Sequence, residues 1–113
     1  MHNVTMANIF NLPQVPIPSE LFEPLASGDG ILIERIISRG QITPEGQWYD
    51  QDTDEWAILL QGEAEIAYMD GSRQQLRVGD HILIPAHQKH RVAYTSAEPV
   101  CIWLAVHGMM QAA

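Results

Sequence analysis

Hydrophobic and polar positions in this chain follow a strand rhythm from residue 31 onward. ILIERIISR (31–39) is rich in β-branched side chains and ends at Gly40. EWAILLQG (55–62) is apolar on both faces, as in a buried strand. EAEIAYM (63–69) alternates in part, with Ala64, Ile66 and Tyr68 in phase. Asp70-Gly71 is a hairpin signal, and QQLRV (74–78) returns after it. Gly79-Asp80 marks another turn before the short apolar run HILIP (81–85). HRVAYTS (90–96) alternates, and PVCIWLAVH (99–107) is a long apolar strand. Short strands with turn signals roughly every ten residues predict an all-β sandwich or barrel. No helix-period segment of useful length, internal repeat or low-complexity tract interrupts the pattern, and GMMQAA at the end is expected to fray.

Residues 1–30 read differently. Pro13, Pro16, Pro18 and Pro24 exclude a long helix, and SGDG (27–30) closes the segment. PSELFEPLA (18–26) predicts one short helical turn with Ser19 as its N-cap. The segment reads as an N-terminal arm packed on the domain or on a partner subunit, followed by a barrel domain over 31–108.

A length of 113 residues suits one core. Formal net charge is −8, from 14 acids against 6 bases, with no cluster of Lys or Arg. That excludes nucleic acid, which needs a basic face, and argues against an anionic membrane surface. No apolar run reaches the eighteen or so residues of a membrane span. The start, MHNVTMANIFNLP, lacks the pattern of a signal peptide, so a cytoplasmic protein is expected. The single cysteine, Cys101, precludes an internal disulfide and reads as a small core residue.

Two stretches carry candidate chemistry: WYDQDTDEW (48–56) and IPAHQKH (84–90). In extended chain Tyr49 and Gln51 share a face, with Asp50 on the other. Asp50, Asp52 and Asp54 are expected to form a solvated acidic turn. Glu55 enters a buried strand, where a carboxylate is costly unless it is paired or metal-bound; Arg35 and Arg91 are alternative partners. His90 opens a strand and His87 precedes it by three. Imidazole with carboxylate suits Zn, Mn, Fe or Ni. His81 and His107 read as structural, and Trp48 and Trp56 flank the acidic stretch.

These two stretches resemble the two motifs of the cupin superfamily. Glu55, six residues and Gly62 match the end of the first motif; Gly79, five residues, Pro85 and then His90 match the second. The resemblance covers roughly residues 31–107. It departs where the family's two first-motif histidines are replaced by Tyr49 and Gln51, and where His87 stands in a position usually held by Gly. It implies a jelly-roll β-barrel (a double-stranded β-helix) with a divalent metal, Zn, Mn, Fe or Ni, on Gln51, Glu55 and His90, and with Tyr49 or His87 as a fourth ligand.

Phosphomannose isomerases include cupins with a similar mixed shell. The resemblance therefore implies a metal-dependent sugar-phosphate isomerase, with Glu55 or His87 as the base. Trp48, Lys89 and Arg35 are the expected substrate-pocket residues, with Arg91 a further phosphate anchor. Other readings are a non-catalytic module that binds a small molecule, and a metal-dependent dioxygenase. A homodimer is expected, with strand 31–39 or the arm at the interface.

Overall fold

The computed structural model describes residues 3–14 and 19–113. Eight strands follow one another: β1 (Leu21–Gly28), β2 (Ile31–Ser38), β3 (Asp54–Gln61), β4 (Ala64–Tyr68), β5 (Arg73–Leu76), β6 (His81–Ile84), β7 (His90–Thr95) and β8 (Cys101–Gly108). They form two antiparallel sheets, one ordered β1-β2-β8-β3-β6 and the other β5-β4-β7. This is a jelly-roll arrangement, and no helix occurs among the described residues. Among the described residues no helix is long and apolar enough to cross a membrane.

The strands predicted from alternation are all present, with ends shifted by a residue or two. The N-terminal segment departs from expectation. Leu21–Gly28 is not a helical turn capped by Ser19 but the edge strand of the larger sheet, paired with β2. Pro24 is tolerated there because an edge strand can spare an N–H, and the register slips between Pro24 and Ala26. Pro16 and Pro18 lie outside the described residues. Because β2 is paired on both sides, by β1 and β8, the free edge expected of strand 31–39 belongs to β1.

Alternation sends the two faces of the larger sheet to different fates. Inward go Ala57, Leu59, Cys101, Trp103 and Ala105, which meet Ala64, Ile66 and Leu76 in the main core. Outward go Ile37 and Ile102, covered by Ile9 and Leu21 from the N-terminal part of the chain. Cys101 is a core residue, its thiol donating to the Glu63 carbonyl at 3.1 Å. Gly62 is required by position. Its φ is +93°, and a Cβ would stand 2.7 Å from Ser96 Oγ and 2.8 Å from Cys101 Sγ.

Candidate functional site

The inner faces of β2, β3, β8 and β7 leave one part of the interior unfilled. The cavity there has a volume of about 70 Å³, room for roughly five water-sized groups. Its wall is mostly apolar, including Ile36, Ile66, Ile82, Val92 and Trp103. Into it project Glu20, Glu34, Gln51, Glu55, His90 and His107, with Tyr49 at the side.

Strand register builds the cluster. Glu55 on β3 stands directly opposite His107 on β8. His107 pairs with Leu32 on β2, which sets it diagonal to Glu34; its Nε2 lies 2.7 Å from Glu34 Oε1. His90 enters from the other sheet. Its Nδ1–H donates to the Gln88 carbonyl at 2.8 Å. That bond leaves Nε2 of the neutral ring as a bare lone pair, 3.9 Å from Glu55 Oε1. Tyr49 and His90 exchange backbone hydrogen bonds of 2.8 and 3.2 Å. Their rings stack with centroids 5.6 Å apart.

Glu55 is 9% exposed and His90 5%. Burial pushes the Glu55 carboxyl above its ordinary value. His107 and His90 oppose that rise, Glu34 adds to it, and a hydrogen bond from Gln51 opposes it. Burial and then Glu55 also raise Glu20, against a hydrogen bond from Ser38. Burial, followed by the charges of Glu20 and Glu55, raises the Tyr49 phenol, with a Thr43 hydrogen bond opposing.

Gln51, Glu55, His90 and Tyr49, the four residues expected to hold a metal, therefore face one cavity. Asp50 lies on the other side, as alternation predicts. Four other expectations are corrected. His87 is outside the cavity: it is exposed, and its Nδ1–H donates to Asp50 at 2.8 Å. The turn after Pro85 holds it at φ +64°, a left-handed conformation that explains why Gly usually occupies this place. Arg35 points to the outer face of β2, where it binds Glu23 at 2.6 Å. Lys89 is exposed, and Trp48 borders a separate surface depression beside Pro44. Nor do Arg35 and Arg91 neutralise Glu55: Arg91 donates to the Thr43 carbonyl at 3.1 Å.

Glu20, Glu34 and His107 are the site residues that sequence reasoning missed. A signal existed for two of them. Cys101, Trp103, Ala105 and His107 are in phase, so an inward core strand ends in an imidazole; Glu34 is likewise in phase with Ile36.

The donors facing the cavity are imidazoles, carboxylates, an amide and a phenol. Among the described residues no three His, Cys, Asp or Glu side chains converge as ligands of one ion. Glu55 and His90 are two good donors and the Gln51 amide is a weak third. The remaining imidazole, His107, is held by Glu34.

Comparison with known proteins places these features in context. The family model for the cupin domain matches residues 36–107. A crystal structure from Ralstonia eutropha JMP134, described as a putative mannose-6-phosphate isomerase, is 41% identical with a TM-score of 0.88, covering 95% of this chain and 100% of that one. An RmlC-like cupin protein from Desulfovibrio desulfuricans is 13% identical with a TM-score of 0.72, covering 96% and 100%. A cupin superfamily protein from Desulfitobacterium hafniense DCB-2 is 23% identical with a TM-score of 0.67, covering 92% and 100%. The last two show likeness of fold alone. Among curated proteins none matches.

Proposed function

The chain belongs to the cupin superfamily, and from that premise we propose that it is an isomerase that moves a proton between neighbouring carbons of a small hydroxycarbonyl compound. The observation that carries this reading is the buried Glu55 carboxylate facing the Nε2 of His90 at 3.9 Å inside an apolar-walled cavity. That separation is too long for a direct hydrogen bond. It leaves room for a substrate hydroxyl to donate to one of the two groups at about 2.8 Å while lying beside the other.

In this reading Glu55 takes the proton from the carbon beside the carbonyl. The C–H electron pair becomes the carbon–carbon double bond of an enediol, and the carbonyl oxygen receives a proton from His90 protonated at Nε2. Glu55 then gives its proton to the other carbon while Nε2 of His90, now neutral, takes the proton of the second hydroxyl, which becomes the new carbonyl, and both groups return to their starting forms. A carboxyl raised above its ordinary value by burial is a stronger base for such a step. His107, held by Glu34, lines the same cavity. His87 has no part in it, being outside the cavity. No step of this reading is routed through a metal, since among the described residues no three His, Cys, Asp or Glu side chains gather as ligands of one ion. The Ralstonia eutropha protein, described as a putative mannose-6-phosphate isomerase, supports the reaction class.

The test is deuterium incorporation from D₂O into the carbon beside the carbonyl, followed by NMR on aldoses and ketoses of three to six carbons. Wild type is expected to label the substrate and Glu55→Gln to lose at least about a hundred-fold in rate. Saturable binding with no label in any compound would overturn the reading and assign the protein to non-catalytic binding cupins.

A further inference from the structure

We propose that the cavity accepts an uncharged hydroxycarbonyl compound and rejects the phosphate ester of the same compound. The inference rests on the isomerase reading for the site and narrows its substrate class. Among the described residues Glu20, Glu34 and Glu55 line the cavity, and the titratable bases there are His90 and His107. Even with both imidazoles protonated, each offsets one carboxylate, and the third is left over. With all three carboxylates ionised the lining therefore carries a net negative charge.

No Lys or Arg lines the cavity. The cations that sequence reasoning nominates as phosphate anchors are engaged or placed elsewhere. Arg35 binds Glu23 at 2.6 Å on the far face of β2. It also donates to the Ile9 carbonyl at 3.0 Å and to that of Asn11 at 2.5 Å. Arg91 is bound to the Thr43 carbonyl, and Lys89 is exposed to solvent.

A phosphate dianion entering here would give up its water and meet neither a guanidinium nor an ammonium. It would also face carboxylates across an apolar space, where repulsion is poorly screened. A hydroxyl or an aldehyde oxygen incurs neither cost: a carboxylate accepts from the hydroxyl, and an imidazole N–H or the Gln51 amide donates to the aldehyde oxygen.

Wild-type protein is titrated at low ionic strength with glyceraldehyde and, separately, with glyceraldehyde 3-phosphate, and binding is read by saturation-transfer NMR. Deuterium incorporation is recorded on the same samples. The mannose and mannose 6-phosphate pair serves as a larger control. Each neutral compound is expected to bind at least about ten-fold more tightly than its ester. An ester that binds as well as or better than its parent, or no binding by either neutral compound, would overturn the inference. Glyceraldehyde bound without label keeps the inference and removes the isomerase reading. A phosphate ester preferred and labelled does the reverse.

Discussion

On the inner face of β2, Glu34 meets His107 at 2.7 Å; one residue later, on the outer face, Arg35 meets Glu23 at 2.6 Å. Both are carboxylate pairs at least partly withdrawn from water, yet they differ in kind. A guanidinium keeps its charge throughout the accessible pH range, so the outer pair is fixed and acts as a staple. Arg35 also grips the backbone at Ile9 and Asn11, fastening the N-terminal segment over the sheet. The inner pair joins a carboxylate to an imidazole and lines the cavity, so it faces the candidate chemistry. The same strand holds the structure together on one side and presents chemistry on the other.

The most damaging change to that contrast should be Arg35→Ala, which leaves Glu23 and two carbonyls without their donor. A loss of about 2–4 kcal/mol in urea unfolding is expected, with ligand binding per folded molecule unchanged. Impaired binding in the folded fraction would show that the two faces are not independent. On the inner face, Glu34→Gln keeps an acceptor for His107, so stability should fall by only about 1 kcal/mol while turnover drops at least about ten-fold. Equal loss of stability and activity would make Glu34 a structural residue.

Glu55→Gln should move stability the other way at high pH. Glu55 binds its proton more tightly folded than unfolded, so its contribution is complete below pH 4.5, its ordinary value. That contribution is lost as pH rises through the elevated folded value. The amide variant should therefore melt a few degrees higher than wild type at pH 8, with the advantage vanishing toward pH 4. A variant that melts lower at pH 8 would mean that pairing with His90 and His107 outweighs burial. Smallest of all, His87→Ala should change stability by less than about 0.5 kcal/mol and leave turnover intact, since the ring is exposed. A large loss of turnover would return His87 to the site.

Most of the strand plan was legible because alternation is local: ILIERIIS, DEWAILLQ and CIWLAVHG each announce which side chains share a face. The edge strand β1 was not, because Pro24 and the nearby Asp-Gly pair suggest punctuation, and only pairing with β2 makes them tolerable. Gln51, Glu55 and His90 were legible through motif spacing. His87 was misread because three residues' spacing cannot reveal that a left-handed turn aims the ring outward.

By itself, then, the sequence determined the run of strands, the turns between them, the absence of a basic face, and a carboxylate and an imidazole that had to be buried. Only tertiary structure decided which charges meet. Glu34 and His107 are 73 residues apart, and Glu55 faces His107 only because β8 lies between β2 and β3. Strand order arises from burying whole apolar faces against each other. The partners of individual charges follow from that packing and leave no mark in the local pattern.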